Sequence, residues 1–246
     1  MNLMATMAGR ATHTTFLGKA LRFPLRLVPR NSVVPVLGGI NRGRRWIAGA
    51  GATNGCWIGT YEADHIPALQ QLVRPGMVVY DVGANVGYYT LALSRLVGDS
   101  GRVYSFEPGV RWAYYLRRHI ELNALRNVTV VQAAVSDSAA LVRFSGWEID
   151  DEGSYVVPSI SLDGFIAAGF PPPDFIKMDI EGAEGAALHG ARDLLSSAKP
   201  SWLLATHSDA LRSSCQSLLA QSGYRFNAFN GVGDAGNSAD FIAQVP

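Results

Sequence analysis

From about Asp64 to the end of the chain, short apolar runs alternate with helix-length segments whose apolar residues recur at helical spacing. Strands separated by helices cannot pair as hairpins, so this alternation leads to crossover connections and a mainly parallel sheet. The expected strands are Met77 to Val82, Val103 to Phe106, Val128 to Val135, Phe175 to Asp179 and Ser201 to Ala205. Tyr224 to Phe229 and Asp240 to Gln244 are expected to close the sheet as an antiparallel pair, joined by the Gly, Asn and Asp residues of 230 to 239. The fold class that follows is α/β, a doubly wound, mostly parallel seven-stranded sheet. Expected helices include one carrying Ile66, Leu69, Leu72 and Val73, capped by Asp64, and one running from Tyr88 to Leu96. Trp112, Leu116 and Ile120 share a third helical face, and Leu211, Cys215, Leu218 and Leu219 a fourth that ends near Gly223.

A chain of 246 residues with 48% apolar residues suits one such domain, read here as 61–246, preceded by an extension over 1–60. The net charge of +1 conceals an asymmetry. Arg10, Lys19, Arg22, Arg26, Arg30, Arg42, Arg44 and Arg45 lie in an extension without a single acid, and the remainder is net acidic. Such an arm suits anionic lipid, nucleic acid or organelle targeting, or packs irregularly on the core. Trp46, Ile47, Trp57 and Ile58 give its second half material to bury. No apolar run reaches the roughly 18 residues of a membrane span, and no continuous apolar region precedes a secretory cleavage site. The expectation is a cytoplasmic protein with at most weak membrane-surface contact through its basic segment. Cys56 and Cys215 have no CxxC spacing, which argues against a disulfide framework or a cysteine zinc site.

In an open parallel sheet, ligands bind beyond the carboxyl ends of the strands. After the first strand comes Asp81-Val82-Gly83-Ala84-Asn85-Val86-Gly87, where Gly83 and Gly87 permit a tight turn and a close backbone approach. The helix that begins near Tyr88 offers free N–H groups to an anionic group. One strand later Glu107 ends YSFEP, placed to accept hydrogen bonds from both hydroxyls of a ribose. The turn is GxxxG rather than GxGxxG, and no GxxxxGK[ST] occurs, which disfavours nicotinamide and nucleoside-triphosphate readings.

The chain resembles the FkbM family of methyltransferases. The resemblance rests on WIGTYE at 57–62, VVYDVGANVGYYTLAL at 78–93, VYSFEP at 103–108, AAVSD at 133–137, SLDGF at 161–165 and FIKMDIEGAEGAALHGA at 175–191. It implies the Rossmann-like class I methyltransferase fold, S-adenosylmethionine as methyl donor, and an oxygen acceptor. By the same resemblance Asp81, Gly83, Asn85 and Gly87 line the methionine end of the cofactor, Glu107 the ribose, and Ala134 with Val135 the adenine. Tyr88 opens the helix at the methionine end, and Glu62 borders the pocket through its closeness in sequence to the first strand. Where family members often carry an acid in the fifth strand, this chain has Ala205, so no role for that acid carries over.

A base that accepts the proton of an attacking hydroxyl is expected among Asp179, Glu181 and His207, which follow the fourth and fifth strands on the rim facing the cofactor. Each has a blander explanation. Lys177 and Asp179 share a strand face as an ion pair, Glu181 and Glu184 suit a helix start, and His207 precedes a helix that Ser208 or Asp209 caps. Two carboxylates without a third oxygen ligand make an incomplete metal site, so none is assigned. Glu148, Asp150, Asp151 and Glu152 read as a solvated turn, and His13, His65, His119 and His189 as structural or exposed residues. The expected acceptor is a small molecule or a glycan hydroxyl. Nucleic acid is not expected, since no basic stripe is interleaved with aromatic residues. The competing reading is a noncatalytic module that binds S-adenosylmethionine or a partner on the same fold.

Overall fold

A computed structural model describes residues 27–51, 53–228 and 240–246. Arg10, His13, Lys19, Arg22 and Arg26, together with Phe229 and the turn expected over 230–239, lie outside the described residues. The strands are β1 (Val33–Pro35), β2 (Arg45–Ile47), β3 (Val78–Val82), β4 (Arg102–Phe106), β5 (Val128–Val131), β6 (Ala134–Val135), β7 (Ala140–Phe144), β8 (Tyr155–Ile160), β9 (Phe175–Met178), β10 (Ser201–Ala205), β11 (Arg225–Ala228) and β12 (Asp240–Gln244). The helices are α1 (Gly55–Ile58), α2 (Ile66–Leu72), α3 (Tyr88–Val97), α4 (Val110–Leu122), α5 (Leu162–Ala167), α6 (Glu184–His189), α7 (Arg192–Ser196) and α8 (Asp209–Gln221).

Seven strands form one sheet in the order β11-β12-β10-β9-β3-β4-β5. Neighbours from β10 through β5 pair in parallel, while β12 runs antiparallel to both β10 and β11. Apolar residues on both faces explain why β3 reads as a hydrophobic run interrupted by Asp81 alone. Val79 joins a core with Leu69, Leu91 and Leu93, and Tyr80 and Val82 join a second core with Leu188, Leu195 and Leu219 on the other face. No described helix is long and apolar enough to cross a membrane.

Two local expectations are corrected, and one hairpin appears that was not expected. His65 rather than Asp64 occupies the cap position of α2, without a side-chain cap bond, and Pro67 sits in the first turn, where its missing N–H has no helical partner to lose. The β-branched run at 128–135 is divided: β5 stays in the main sheet, whereas β6 pairs with β8 in a separate three-stranded sheet of order β6-β8-β7. Glu148, Asp150, Asp151 and Glu152 lie in a turn, as read from sequence, and it joins the strands of the β7–β8 hairpin, whose register runs from Ala140 opposite Ser159 to Phe144 opposite Tyr155. Leu141, Tyr155 and Val156 are exposed there, so the hairpin lacks the apolar periodicity that marks a core strand.

Part of the basic segment packs onto the domain. β1 and β2 form a hairpin, and Trp46, Ile47 and Trp57 enter the core that holds Leu69 and Val79. Trp46 stacks on the His119 ring at 4.0 Å between centroids. His119 is buried in α4; its Nε2 accepts the Ile47 N–H at 2.9 Å and its Nδ1–H donates to the Val86 carbonyl at 2.7 Å.

Candidate active site

β3 ends in the turn that shapes the site. Gly83 adopts φ 79°, and a Cβ there would lie 1.8 Å from the Asp179 carbonyl oxygen, so only glycine lets the loops after β3 and β9 approach so closely. The Gly83 and Ala84 N–H groups donate to Phe106 O at 3.1 and 2.9 Å, tying the turn to β4. Gly87, at φ 94°, precedes the first turn of α3. Asn85, at φ 48°, donates its N–H to Glu107 Oε2 at 2.8 Å, and the Gly109 N–H donates to Oε1 at 2.7 Å. Burial pushes the Glu107 carboxyl up to about 7, against the opposing pull of those two backbone donors.

A cleft of about 290 Å³ opens over this turn. Gly83, Asn85, Tyr88, Glu107, Ala134 and Val135 line it, as do Asp179 and Glu181. Asp81 and Gly87 do not. Asp81 is wholly buried in β3, where Oδ2 accepts from the Thr90 hydroxyl at 2.6 Å and Oδ1 has no hydrogen-bond partner. Burial raises its pKa, opposed by the charge of Lys177, which stands beside it in register on β9. Burial alone would lower Lys177; the Asp179 and Asp81 carboxylates outweigh it and hold the ammonium above its ordinary value. Its Nζ lies 3.5 Å from Asp179 Oδ2, so the ion pair expected from strand alternation is present, with Asp81 as a further partner.

Sequence reasoning missed one wall of the cleft. Phe144, Trp147 and Ile149 of the β7–β8 hairpin line it, and the Trp147 ring meets Trp112 of α4 at 4.8 Å. Thr53 and Cys56 of the extension line it as well. Neither group stands at a main-sheet strand end, the signal that located the remaining residues.

Glu62 and His207 line a second cleft of about 160 Å³, together with His65, Tyr89, Lys177, Asp179 and Asp240. Glu62, expected beside the cofactor, lines the neighbouring cavity instead. The Tyr89 hydroxyl donates to it, and His65 Nδ1 lies 3.5 Å from Glu62 Oε2. Asp179, Glu181 and His207 are brought together: His207 Nε2 lies 3.4 Å from Asp179 Oδ1 and 3.2 Å from Glu181 Oε2. Its Nδ1 lies 3.2 Å from Oε1 of Glu184, a wholly buried carboxylate that also accepts the Ile180 and Gly182 N–H groups. Asp179, Glu184 and His207 each offer a ligating atom within 4.8 Å of the others, a set that has Glu184 where the sequence pointed to Glu181.

The wide cleft fits an elongated polar cofactor. Glu107 stands against one wall, Ala134 and Val135 supply an apolar surface for a base, and the glycine turn leaves backbone exposed between them. The model of the methyltransferase FkbM domain matches residues 81–226, more than half of the chain. A solved FkbM methyltransferase from Methylobacillus flagellatus superposes with a TM-score of 0.50 at 19% identity, covering 79% of this chain and 56% of that one. Precorrin-6y C5,15-methyltransferase from Geobacter metallireducens gives 0.50 at 15% identity, covering 78% and 90%. The hexuronic acid methyltransferase AglP of Haloferax volcanii is 27% identical over 145 residues, 55% of this chain and 59% of that protein. A protein-L-isoaspartate O-methyltransferase of Methanothrix thermoacetophila is 39% identical over 75 residues, 29% of this chain and 36% of that protein. The chain thus spans between about a third and three fifths of the length of these curated relatives. Fold and cleft define a class I methyltransferase core whose cofactor is S-adenosylmethionine. Within that class, the chain belongs to the FkbM methyltransferase family.

Proposed function

We propose that this protein transfers the methyl group of S-adenosylmethionine to a hydroxyl oxygen of a sugar, glycan or natural-product acceptor, with His207 as the base. The observation that carries the reading is the placement of His207 between Glu184 on one ring nitrogen and Asp179 and Glu181 on the other. A carboxylate only accepts hydrogen bonds, so Glu184 can hold a proton on Nδ1, and in that tautomer of the neutral ring Nε2 is the acceptor on the rim of the cofactor cleft. A proton arriving on Nε2 is then met by Asp179 and Glu181, which stabilise the imidazolium. The Haloferax relative, whose name refers to a hexuronic acid, supports a sugar ring as the acceptor and not the carboxylate that its own sugar carries.

Residues of the first cleft hold the donor: Glu107 the ribose hydroxyls, Ala134 and Val135 the adenine, and the Gly83 to Tyr88 turn the methionine end. The cofactor supplies a methyl group on a positively charged sulfur, which leaves as a neutral thioether. What remains for the protein is alignment, which contributes up to about 7 to 11 kcal/mol, and proton removal, which contributes typically about 10² to 10⁴ in rate. As the acceptor oxygen forms its bond to the methyl carbon, His207 Nε2 takes the hydroxyl proton. Thr90 fixes the buried Asp81, and with it the position of Lys177.

The test is His207→Gln, followed by mass-spectrometric detection of a 14-dalton gain on candidate acceptors. The expected result is a loss of at least about 10² in turnover with cofactor affinity retained. Glu184→Gln should lower turnover in the same direction, because the amide presents an N–H group as readily as an acceptor. Full turnover in both variants would remove His207 from the mechanism. Loss of turnover on adding a chelator would assign the Asp179, Glu184 and His207 cluster to a metal instead.

A further inference from the structure

The second cleft opens beside the first and shares Tyr89, Lys177 and Asp179 with it, so a molecule held there has its reacting atom next to the donor site. We propose that this cleft is the acceptor subsite and that it selects by charge, taking hydroxylated acceptors that are neutral or carry an ammonium group and rejecting those that carry a carboxylate. The inference rests on the methyl-transfer reading above and names its substrate class.

Charge counting carries it. Three carboxylates line the cleft, those of Glu62, Asp179 and Asp240, and two more, Glu181 and Glu184, stand behind it against His207, facing one ammonium, Lys177, and two imidazoles, His65 and His207. Even with both imidazoles protonated, carboxylates outnumber cations. The ammonium is already committed, since Lys177 is buried and shared between Asp179 and Asp81, so it has no charge to spare for an incoming anion. The acids are also held in place. Glu62 keeps a left-handed backbone at φ 42°, a conformation an unbranched L-residue adopts at a cost, and receives the Tyr89 hydroxyl. Asp240 meets His65 Nε2 at 3.5 Å from the first residue of β12. A carboxylated acceptor would enter against this unmatched negative charge, whereas hydroxyls can donate to the acids and an ammonium is attracted by them.

The experiment uses the full chain saturated with S-adenosylhomocysteine at pH 7, after calorimetry has measured binding of that compound. Saturation-transfer NMR then titrates three probes of one ring size: glucosamine, methyl glucoside and glucuronate. Glucosamine is expected to bind at least about tenfold more tightly than glucuronate, with methyl glucoside between them. In Glu62→Gln combined with Asp240→Asn the gap should shrink to less than about threefold. If that double variant does not fold, raising the salt concentration on the wild type should shrink the gap in the same way, since rim charges are screened. Glucuronate binding as tightly as glucosamine, a gap that survives both manipulations, or no probe binding to a protein that binds S-adenosylhomocysteine would each overturn the inference. Failure to bind S-adenosylhomocysteine at the outset would instead overturn the methyltransferase reading.

Discussion

Glu107 sets a pH dependence that belongs to a single carboxyl. Burial holds it near 7 in the unliganded protein, so below that pH it is largely neutral. On the proposed assignment of the ribose to Glu107, its hydroxyls would donate to the ionised form and favour it, so cofactor binding would release a proton there and affinity would climb as pH rises through about 7, reaching a plateau above. Calorimetry between pH 6 and 8.5 should show that climb. In Glu107→Gln the climb should vanish, and affinity at pH 8.5 should fall by about 1.5 to 3 kcal/mol, the range for hydrogen bonds to a charged group. An unchanged pH profile in that variant would move the ribose elsewhere. Glu107 was legible in sequence because a strand end and its distance from the glycine turn are both written locally. Glu184 was not, because an acid opening a helix has a sufficient explanation in the helix dipole, and only the folded chain brings His207 of the next strand end against it.

Among elements, the turn after β3 has the least freedom. Gly83→Ala places a methyl group against the Asp179 carbonyl and forces an L-residue to φ 79°. Left-handed strain alone costs about 1 to 2 kcal/mol, and the clash with backbone adds to it. Urea unfolding should show a loss of at least about 2 kcal/mol, and a variant as stable as the wild type would mean that the β9 loop yields. The glycine was found in sequence by its spacing, and so were the parallel strands, since burial on both faces leaves a near-continuous apolar run. The β7–β8 hairpin escaped for the opposite reason. Leu141, Tyr155 and Val156 face outward, and Trp147 and Ile149 gain their meaning from the cleft they border rather than from any period along the chain. Glu62 shows the same limit, since nearness in sequence to β3 pointed to the cofactor, whereas the folded chain sets Glu62 in the second cleft against the Tyr89 hydroxyl.

At the scale of the molecule, the extension and the domain share one core through His119. Burial pushes its pKa down to about 4, since a charged imidazole would lose its acceptor role toward the Ile47 N–H. An unfolded chain binds that proton near pH 6.5 and the folded one only near 4, so stability from this group is complete above about 6.5 and falls as pH drops toward 4, by up to about 3 kcal/mol. Thermal melts from pH 7.5 to 4 should be shallower for His119→Gln than for the wild type; identical slopes would detach this histidine from acid unfolding. Removing residues 1–30 should leave cofactor binding intact, because the extension residues that line the cleft, Gly51, Thr53 and Cys56, lie beyond that point. Removing 1–59 should lower the melting temperature by several degrees, since Trp46, Ile47 and Trp57 leave the core. The same imidazole that receives Ile47 also holds Val86, inside the turn that lines the first cleft, where the cofactor is proposed to sit. Binding and ordering are therefore reciprocal: whatever affinity the cofactor loses without the extension is the protection that the β1–β2 amides gain against hydrogen exchange when the cofactor arrives.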